Sequence, residues 1–137
     1  MKIVKSLSHK TFIFILPLVA AFCIITSCSS SKQHISNSKI YEKKAVAVYY
    51  HDKYNGKPTA SGELFSNNKY TAAHKTLPFG TKLRVTNLVN QKSTEVKVND
   101  RGPFTKGRDI DLSKKAFMEI TDSKSKGALD VKIEIIK

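Results

Sequence analysis

Apolar and polar residues alternate strictly in several stretches of this chain. Leu83 and Val85 alternate with Lys82, Arg84 and Thr86, and Val96 and Val98 alternate with Glu95 and Lys97. A period of two is the signature of a half-buried strand. The polar segment Asn87 to Lys92 between these runs is short enough for a hairpin loop. Near the C-terminus, Val131, Ile133 and Ile135 alternate with Lys132 and Glu134, and Ile110 with Leu112 marks a short strand flanked by Asp109 and Asp111. Earlier, Ala45-Val46-Ala47-Val48-Tyr49-Tyr50 is a β-prone run that breaks into a polar loop, His51 to Gly62, with Asn55-Gly56 and Lys57-Pro58 as turn signals. Tyr70-Thr71-Ala72-Ala73-His74 runs into Leu77-Pro78-Phe79-Gly80, which stops any helix and sets a tight turn. Ser113 is suited to cap a helix over Lys114 to Ile120 that buries Ala116, Phe117 and Ile120 at helical spacing. The pattern predicts a mostly β domain of about six strands and one or two short helices, with no internal repeat. A domain this small has exposed strand edges to remove, and closure into a barrel removes them.

The N-terminus follows different rules. Lys2, Lys5 and Lys10 precede an apolar stretch from Phe12 to Ile25 that is interrupted by Pro17. It falls short of the ~20 apolar residues that cross a bilayer, and residues 1–27 read as a secretory signal. Thr26 and Ser27 place small residues directly before Cys28, the pattern of a lipobox, so Cys28 is expected to become a palmitoylated N-terminus held on a membrane by several acyl chains. Residues 28–44 are polar and read as a flexible tether, which leaves 45–137 as one folded domain. Cys23 leaves with the signal and Cys28 is taken by lipid, so neither a disulfide nor a cysteine metal site is expected. Ser29 after the cysteine suits sorting to the outer membrane, with the domain facing the periplasm.

Charge narrows the partners. The chain carries a net +13, and loss of the three signal lysines leaves about +10 on the remainder, so anionic partners are expected. Nucleic acid is disfavoured, because an exported, lipid-anchored domain does not meet the chromosome and no basic stripe interleaved with aromatics is present.

The inventory of reactive side chains is short. His51 and His74 are isolated and no pair has metal-ligand spacing, so neither zinc nor any other cofactor is expected. No serine lies in a glycine-flanked nucleophile elbow. Carboxylates remain. Asp100 shares the parity of Val96 and Val98, and if the strand persists its carboxyl points to the apolar side, where desolvation raises the pKa as a general acid requires. The same residue is equally suited to cap its own turn by accepting backbone N–H groups near Gly102. Asp109 and Asp111 are weaker candidates, since they flank Ile110 on a charged face, and Glu63 in its polar loop reads first as a solvated surface acid.

Four segments then accumulate in order: Ala47-Val48-Tyr49-Tyr50 leading to Thr59-Ala60-Ser61-Gly62-Glu63-Leu64-Phe65; Thr71-Ala72-Ala73-His74-Lys75-Thr76-Leu77-Pro78-Phe79-Gly80-Thr81; Val85-Thr86-Asn87-Leu88; and Val98-Asn99-Asp100-Arg101-Gly102-Pro103-Phe104 running to Gly107-Arg108-Asp109-Ile110-Asp111-Leu112-Ser113. Together they resemble the rare lipoprotein A (RlpA) family of double-psi β-barrels from Ala45 to the C-terminus. The resemblance implies a six-stranded double-psi β-barrel and an endolytic peptidoglycan lytic transglycosylase, a lyase that cleaves the MurNAc-GlcNAc bond. It further implies a preference for glycan stripped of stem peptides and a 1,6-anhydro product. Asp100, His74 and Glu63 occupy the matched catalytic positions. One carboxylate suffices in this scheme: Asp100 protonates the leaving oxygen and then helps deprotonate the 6-hydroxyl that attacks the anomeric carbon. In this scheme His74 orients Asp100 or tunes its proton affinity, the alternative being that it only bonds the loop backbone.

Tyr49, Tyr50, Lys75 and Arg101 lie in the matched segments and are the expected substrate-binding residues. Lys75, Lys82, Arg84 and Arg101 are positioned to read the lactyl carboxylate of a denuded MurNAc, unless they form a merely solvated basic surface. Many members carry a C-terminal SPOR domain, whereas this sequence ends at Lys137, so glycan capture is expected to rest on the barrel of a monomer. The competing reading is an expansin-like module that binds peptidoglycan without cleaving it.

Overall fold

The computed structural model describes residues 37–137. The basic leader, Cys28 and the tether as far as Ser36 lie outside the described residues. Six strands, β1 (Ser38–Tyr49), β2 (Thr71–His74), β3 (Lys82–Asn87), β4 (Ser93–Asp100), β5 (Ile110–Leu112) and β6 (Ala128–Ile136), close into a barrel in the order β1-β5-β2-β4-β3-β6. Two pairs, β1–β5 and β2–β4, run parallel and the rest run antiparallel. This mixed, closed sheet is the double-psi architecture the motifs implied, with a single α-helix among the described residues, α1 (Lys114–Ile120), and one 3₁₀ turn there, at Asp52–Tyr54.

The inward faces of β3, β4 and β6 follow the expected alternation. Leu83, Val85, Val96, Val98, Val131 and Ile133 are buried together with Ile110 and Leu112 of β5. Phe117 of α1 is fully buried among them, and burial of such a ring contributes on the order of 2 kcal/mol. The helix begins where predicted: Ser113 Oγ accepts from the Ala116 N–H, and its own hydroxyl donates to the Lys69 carbonyl. At the other end Asn87 Nδ2 donates to the Ile120 carbonyl at 2.8 Å, which ties the start of the β3–β4 hairpin to the helix terminus.

Four features depart from the sequence reading. The first strand starts at Ser38 rather than at Ala45, because Ser38 to Ile40 pair with Glu134 to Ile136 and so belong to the sheet, not to a tether. These residues are mostly exposed and carry little apolar signal, so the alternation could not reveal a strand held by backbone pairing alone. In β6 the alternation slips after Ile133: Glu134 is buried and Ile135 is partly exposed, alongside register shifts in the facing half of β1. Glu134 tolerates this position because Lys132 (2.9 Å) and Ser38 (3.2 Å) meet its carboxylate.

The alanine-rich segment Thr71–His74 is a fully buried strand paired on both sides, where small side chains admit close neighbours. Finally, the β2–β4 ladder steps from Ala72↔Val98 to Ala73↔Asp100, so Asn99 is an extra residue in β4. A bulge of this kind breaks the period of two and re-aims the next side chain. Asp100 is therefore not a simple continuation of the Val96–Val98 face.

Candidate active site

A cleft of about 670 Å³ opens where β1 passes into Tyr50 and β4 ends at Asp100, and Gly102, Pro103 and Phe104 also line it. Asp100 is the most heavily bonded group in it. Tyr50 Oη donates to Oδ2 at 2.7 Å, and the backbone N–H groups of Ala60 and Arg101 each donate to Oδ1 at 2.8 Å. Ala60 reaches this point because the long loop after β1 folds back on itself. Gly62, at φ +86°, closes a turn onto the Thr59 carbonyl, and the Ser61 N–H bonds the carbonyl of the bulge residue Asn99. Asp100 thus accepts turn N–H groups, as the capping role expected, and it also lines the cleft.

Asp111 is the second cleft carboxylate. It lies on β5 in register with Val48 on one side and Ala73 on the other, and Ala73 is also the partner of Asp100. Its Oδ1 accepts from Arg108 Nη2 at 2.8 Å, and its side chain is only 16% exposed. Burial holds its carboxyl above the ordinary value, with nearby Asp100 acting in the same direction and Arg108 opposing. Burial, then the bond to Asp100, push the Tyr50 phenol far up, so it remains a proton-bearing donor.

Tyr49, Tyr50 and Arg101 also line this cleft, but their contacts qualify the roles expected of them. The Tyr49 ring packs 4.9 Å from that of Phe117, between the cleft and the core. Arg101 Nη1 donates to the carbonyls of His74 (3.3 Å) and Leu77 (2.9 Å), and the guanidinium stacks 3.8 Å over the Phe79 ring. It clamps the β2–β3 loop.

Glu63, His74 and Lys75 do not line the cleft. Lys97 (2.7 Å) and Asn99 (3.1 Å) bind the Glu63 carboxylate and hold its pKa below the ordinary value. His74 is buried beside the Tyr41 ring, with Nδ1 accepting from the N–H groups of Thr76 (3.2 Å) and Leu77 (3.1 Å). It bonds the loop backbone, and its hydrogen bonds do not reach Asp100. Burial, then Lys75 and Arg101, lower its pKa. Lys75 donates to the Arg108 carbonyl at 2.8 Å and lies 3.8 Å from Asp109. Lys82 lies on β3 and lines a shallow depression with Tyr70 and Glu95, while Arg84 pairs with Glu95 at 3.0 Å, so neither belongs to the cleft.

Sequence reasoning passed over Lys53, Tyr54, Lys57 and Arg108, and underweighted Asp111. Asp111 had a signal: an acid between the buried Ile110 and Leu112 of a short strand must point to the face opposite the core. Among the described residues no group of three or more His, Cys, Asp or Glu side chains is arranged to hold a metal ion.

A family model described as lytic transglycolase matches residues 39–133. The endolytic peptidoglycan transglycosylase RlpA of Pasteurella multocida (strain Pm70) is 45% identical over 114 residues, covering 83% of this chain and 38% of that protein. The corresponding protein of Haemophilus influenzae (strain Rd) is 46% identical over 101 residues, covering 74% of this chain and 35% of that one. The chain thus spans less than two fifths of the length of these relatives. Among solved structures, Streptomyces papain inhibitor aligns with a TM-score of 0.55 at 22% identity, over 72% of this chain and all of that one. An expansin of Clavibacter michiganensis aligns at 0.55 and 18% identity, over 69% of this chain and 50% of that one. Both likenesses concern the fold alone.

Proposed function

Because the chain belongs to the lytic transglycolase family, we propose that it cleaves peptidoglycan glycan strands endolytically, without adding water, and that Asp100 and Asp111 handle the protons. The single observation that carries this reading is the pair of carboxylates flanking Ala73 on the floor of one cleft, in different hydrogen-bonding environments. Divergent environments assign divergent roles to two acids in one site.

Asp111 is largely buried, with one oxygen on Arg108, and burial holds its carboxyl above the ordinary value, which makes it the better suited of the two acids to protonate the departing glycosidic oxygen. Asp100 meets three donors, which suit a carboxylate that accepts. The C1–O bond breaks as Asp111 delivers its proton to the leaving oxygen. The sugar's own 6-hydroxyl oxygen then bonds to C1, and its proton passes to Asp100. The product ends in a 1,6-anhydro ring, and a proton moving from Asp100 back to Asp111 through solvent restores the site. An intramolecular nucleophile removes the need for a second attacking group from the protein. Asp100 keeps the central place expected from the sequence, with the acid half of its work passing to Asp111. His74 acts indirectly, by fixing the loop that Arg101 clamps, and Glu63 by holding the start of the Asp100 turn through Asn99.

The reading places the domain outside the cytoplasmic membrane, where peptidoglycan lies, exported by residues 1–27 and anchored through lipid on Cys28. A strand lacking stem peptides is the favoured substrate, since it offers free lactyl carboxylates to a basic domain. The test is release of soluble glycan from amidase-treated sacculi by the full chain purified in detergent, beside Asp100→Asn and Asp111→Asn. Release by the unmutated chain and loss in both variants supports the assignment; full release by either variant removes that residue from it.

A further inference from the structure

The cleft floor is acidic, yet the surplus charge of the chain is positive, and the cations near the cleft are not equally free. Arg108 is paired with Asp111, and Arg101 is held by two carbonyls and the Phe79 ring. Lys53 and Lys57 differ. Both line the cleft, and their Nζ atoms sit over the same ring, Tyr54, at 5.3 and 5.6 Å from its centroid. Neither has a carboxylate within 4 Å among the described residues, where Lys44, Lys75, Lys92, Lys97, Lys114 and Lys132 each have one.

The nearest acid in sequence is turned away. Asp52 opens the same 3₁₀ turn, but its carboxylate is bound by Lys114 and by Asn67, each at 2.8 Å, in a neighbouring depression. The turn and the loop just after it therefore present Lys53 and Lys57 to the cleft, while the turn's acid is directed elsewhere. Like charges held around one ring repel, and an anion between them relieves the repulsion. Tyr54 in turn stands edge-on to Tyr50, ring centroids 5.8 Å apart, and Tyr50 bonds Asp100. An aromatic wall thus leads from the two ammonium groups to the carboxylate on the cleft floor.

We propose that Lys53, Lys57 and Tyr54 form a subsite for a carboxylate-bearing sugar, the lactyl group of a MurNAc residue without its stem peptide, bound beside the residue whose linkage is cleaved. The proposal rests on the glycan reading above. Asp100 and Asp111 disfavour an anion beside them, whereas Lys53 and Lys57 line the same cleft around the Tyr54 ring. Arg101 and Lys75 do not take this role, because their polar groups already have partners.

The test is a binding measurement on the full chain in detergent, in an Asp100→Asn background that stops turnover. The ligands are denuded glycan strands and the same strands with their carboxylates converted to primary amides. Lys53→Gln/Lys57→Gln is compared with Lys82→Gln/Lys126→Gln, which removes the same charge away from the cleft, and thermal melts check folding. The expected result is about fivefold tighter binding of the acidic strands than of the amidated ones, with a shallower preference at high salt. The Lys53/Lys57 variant then loses that preference while binding amidated strands unchanged, and the control keeps it. Equal binding of both strands by the unmutated lysine chain, or a preference that survives the Lys53/Lys57 change, overturns the subsite and leaves the glycan reading intact. Failure to bind either strand overturns both.

Discussion

Asp100 on β4 and Asp111 on β5 stand in register with one residue, Ala73, on the strand between them. Ala73 has no exposed surface, so the spacing of the two acids is set by a packed methyl group. Ala73→Val is expected to lower stability by about 1–3 kcal/mol through overpacking. It should also depress glycan release by more than its loss of folded protein accounts for. Chemical denaturation beside a release assay at a temperature where both proteins are folded checks this.

Tyr50 is the second test of the cleft floor. Its hydroxyl donates to Asp100 Oδ2 at 2.7 Å, while its ring packs 4.4 Å from that of Phe65. Tyr50→Phe retains the packing and removes one bond to a carboxylate, so kcat should fall about 10- to 100-fold with little change in melting temperature.

Asp111 makes a prediction in pH. Its carboxyl lies above the ordinary value of 3.8, chiefly through burial, so the proton-donating form survives to higher pH than a solvated acid would allow. Glycan release should decline as pH rises through that raised value. Asp111→Asn should reduce release by about 10²- to 10⁴-fold and abolish this limb in what activity remains, as a pH profile of initial rates would show.

The contribution of His74 is to stability, and its sign is opposite to that of a paired histidine. Burial, with Lys75 and Arg101 nearby and Asp109 opposing, lowers its pKa from 6.5, and Nδ1 accepts two backbone N–H groups only while unprotonated. The stability it provides is therefore present above about pH 6.5 and lost as pH falls through the lowered value. Melting temperatures measured from pH 8 to pH 5 should show the difference between the unmutated chain and His74→Gln narrowing as the solution becomes more acidic.

Much of this architecture is legible in the sequence because burial and alternation coincide in β3 and β4, and because Ser113 caps its helix locally. Reading fails where pairing, not burial, makes the strand. Ser38 to Lys44 enter the sheet through backbone bonds to β6, and Thr71–His74 are small residues whose strand character comes from two neighbours. The site divides in the same way. Asp100 and Tyr50 were found through their motifs, and they do meet. Lys53 and Lys57 escaped notice because an exposed lysine in a polar loop carries no pattern; only the fold shows which lysines lack a counter-charge. The bulge at Asn99 likewise leaves no trace in the alternation, although it decides where Asp100 points.

Intramolecular attack on the glycosidic carbon, as proposed for this cleft, leaves a distinctive product end. Mass spectrometry of the soluble products from amidase-denuded sacculi, treated with the full chain and with Asp100→Asn, tests it most directly. The expected products are glycan fragments ending in 1,6-anhydro-MurNAc, lighter by one water than hydrolytic ends, released by the unmutated chain alone. Reducing-end products would contradict the mechanism, and retention of the chain on sacculi with no released glycan would mark it as a binding module.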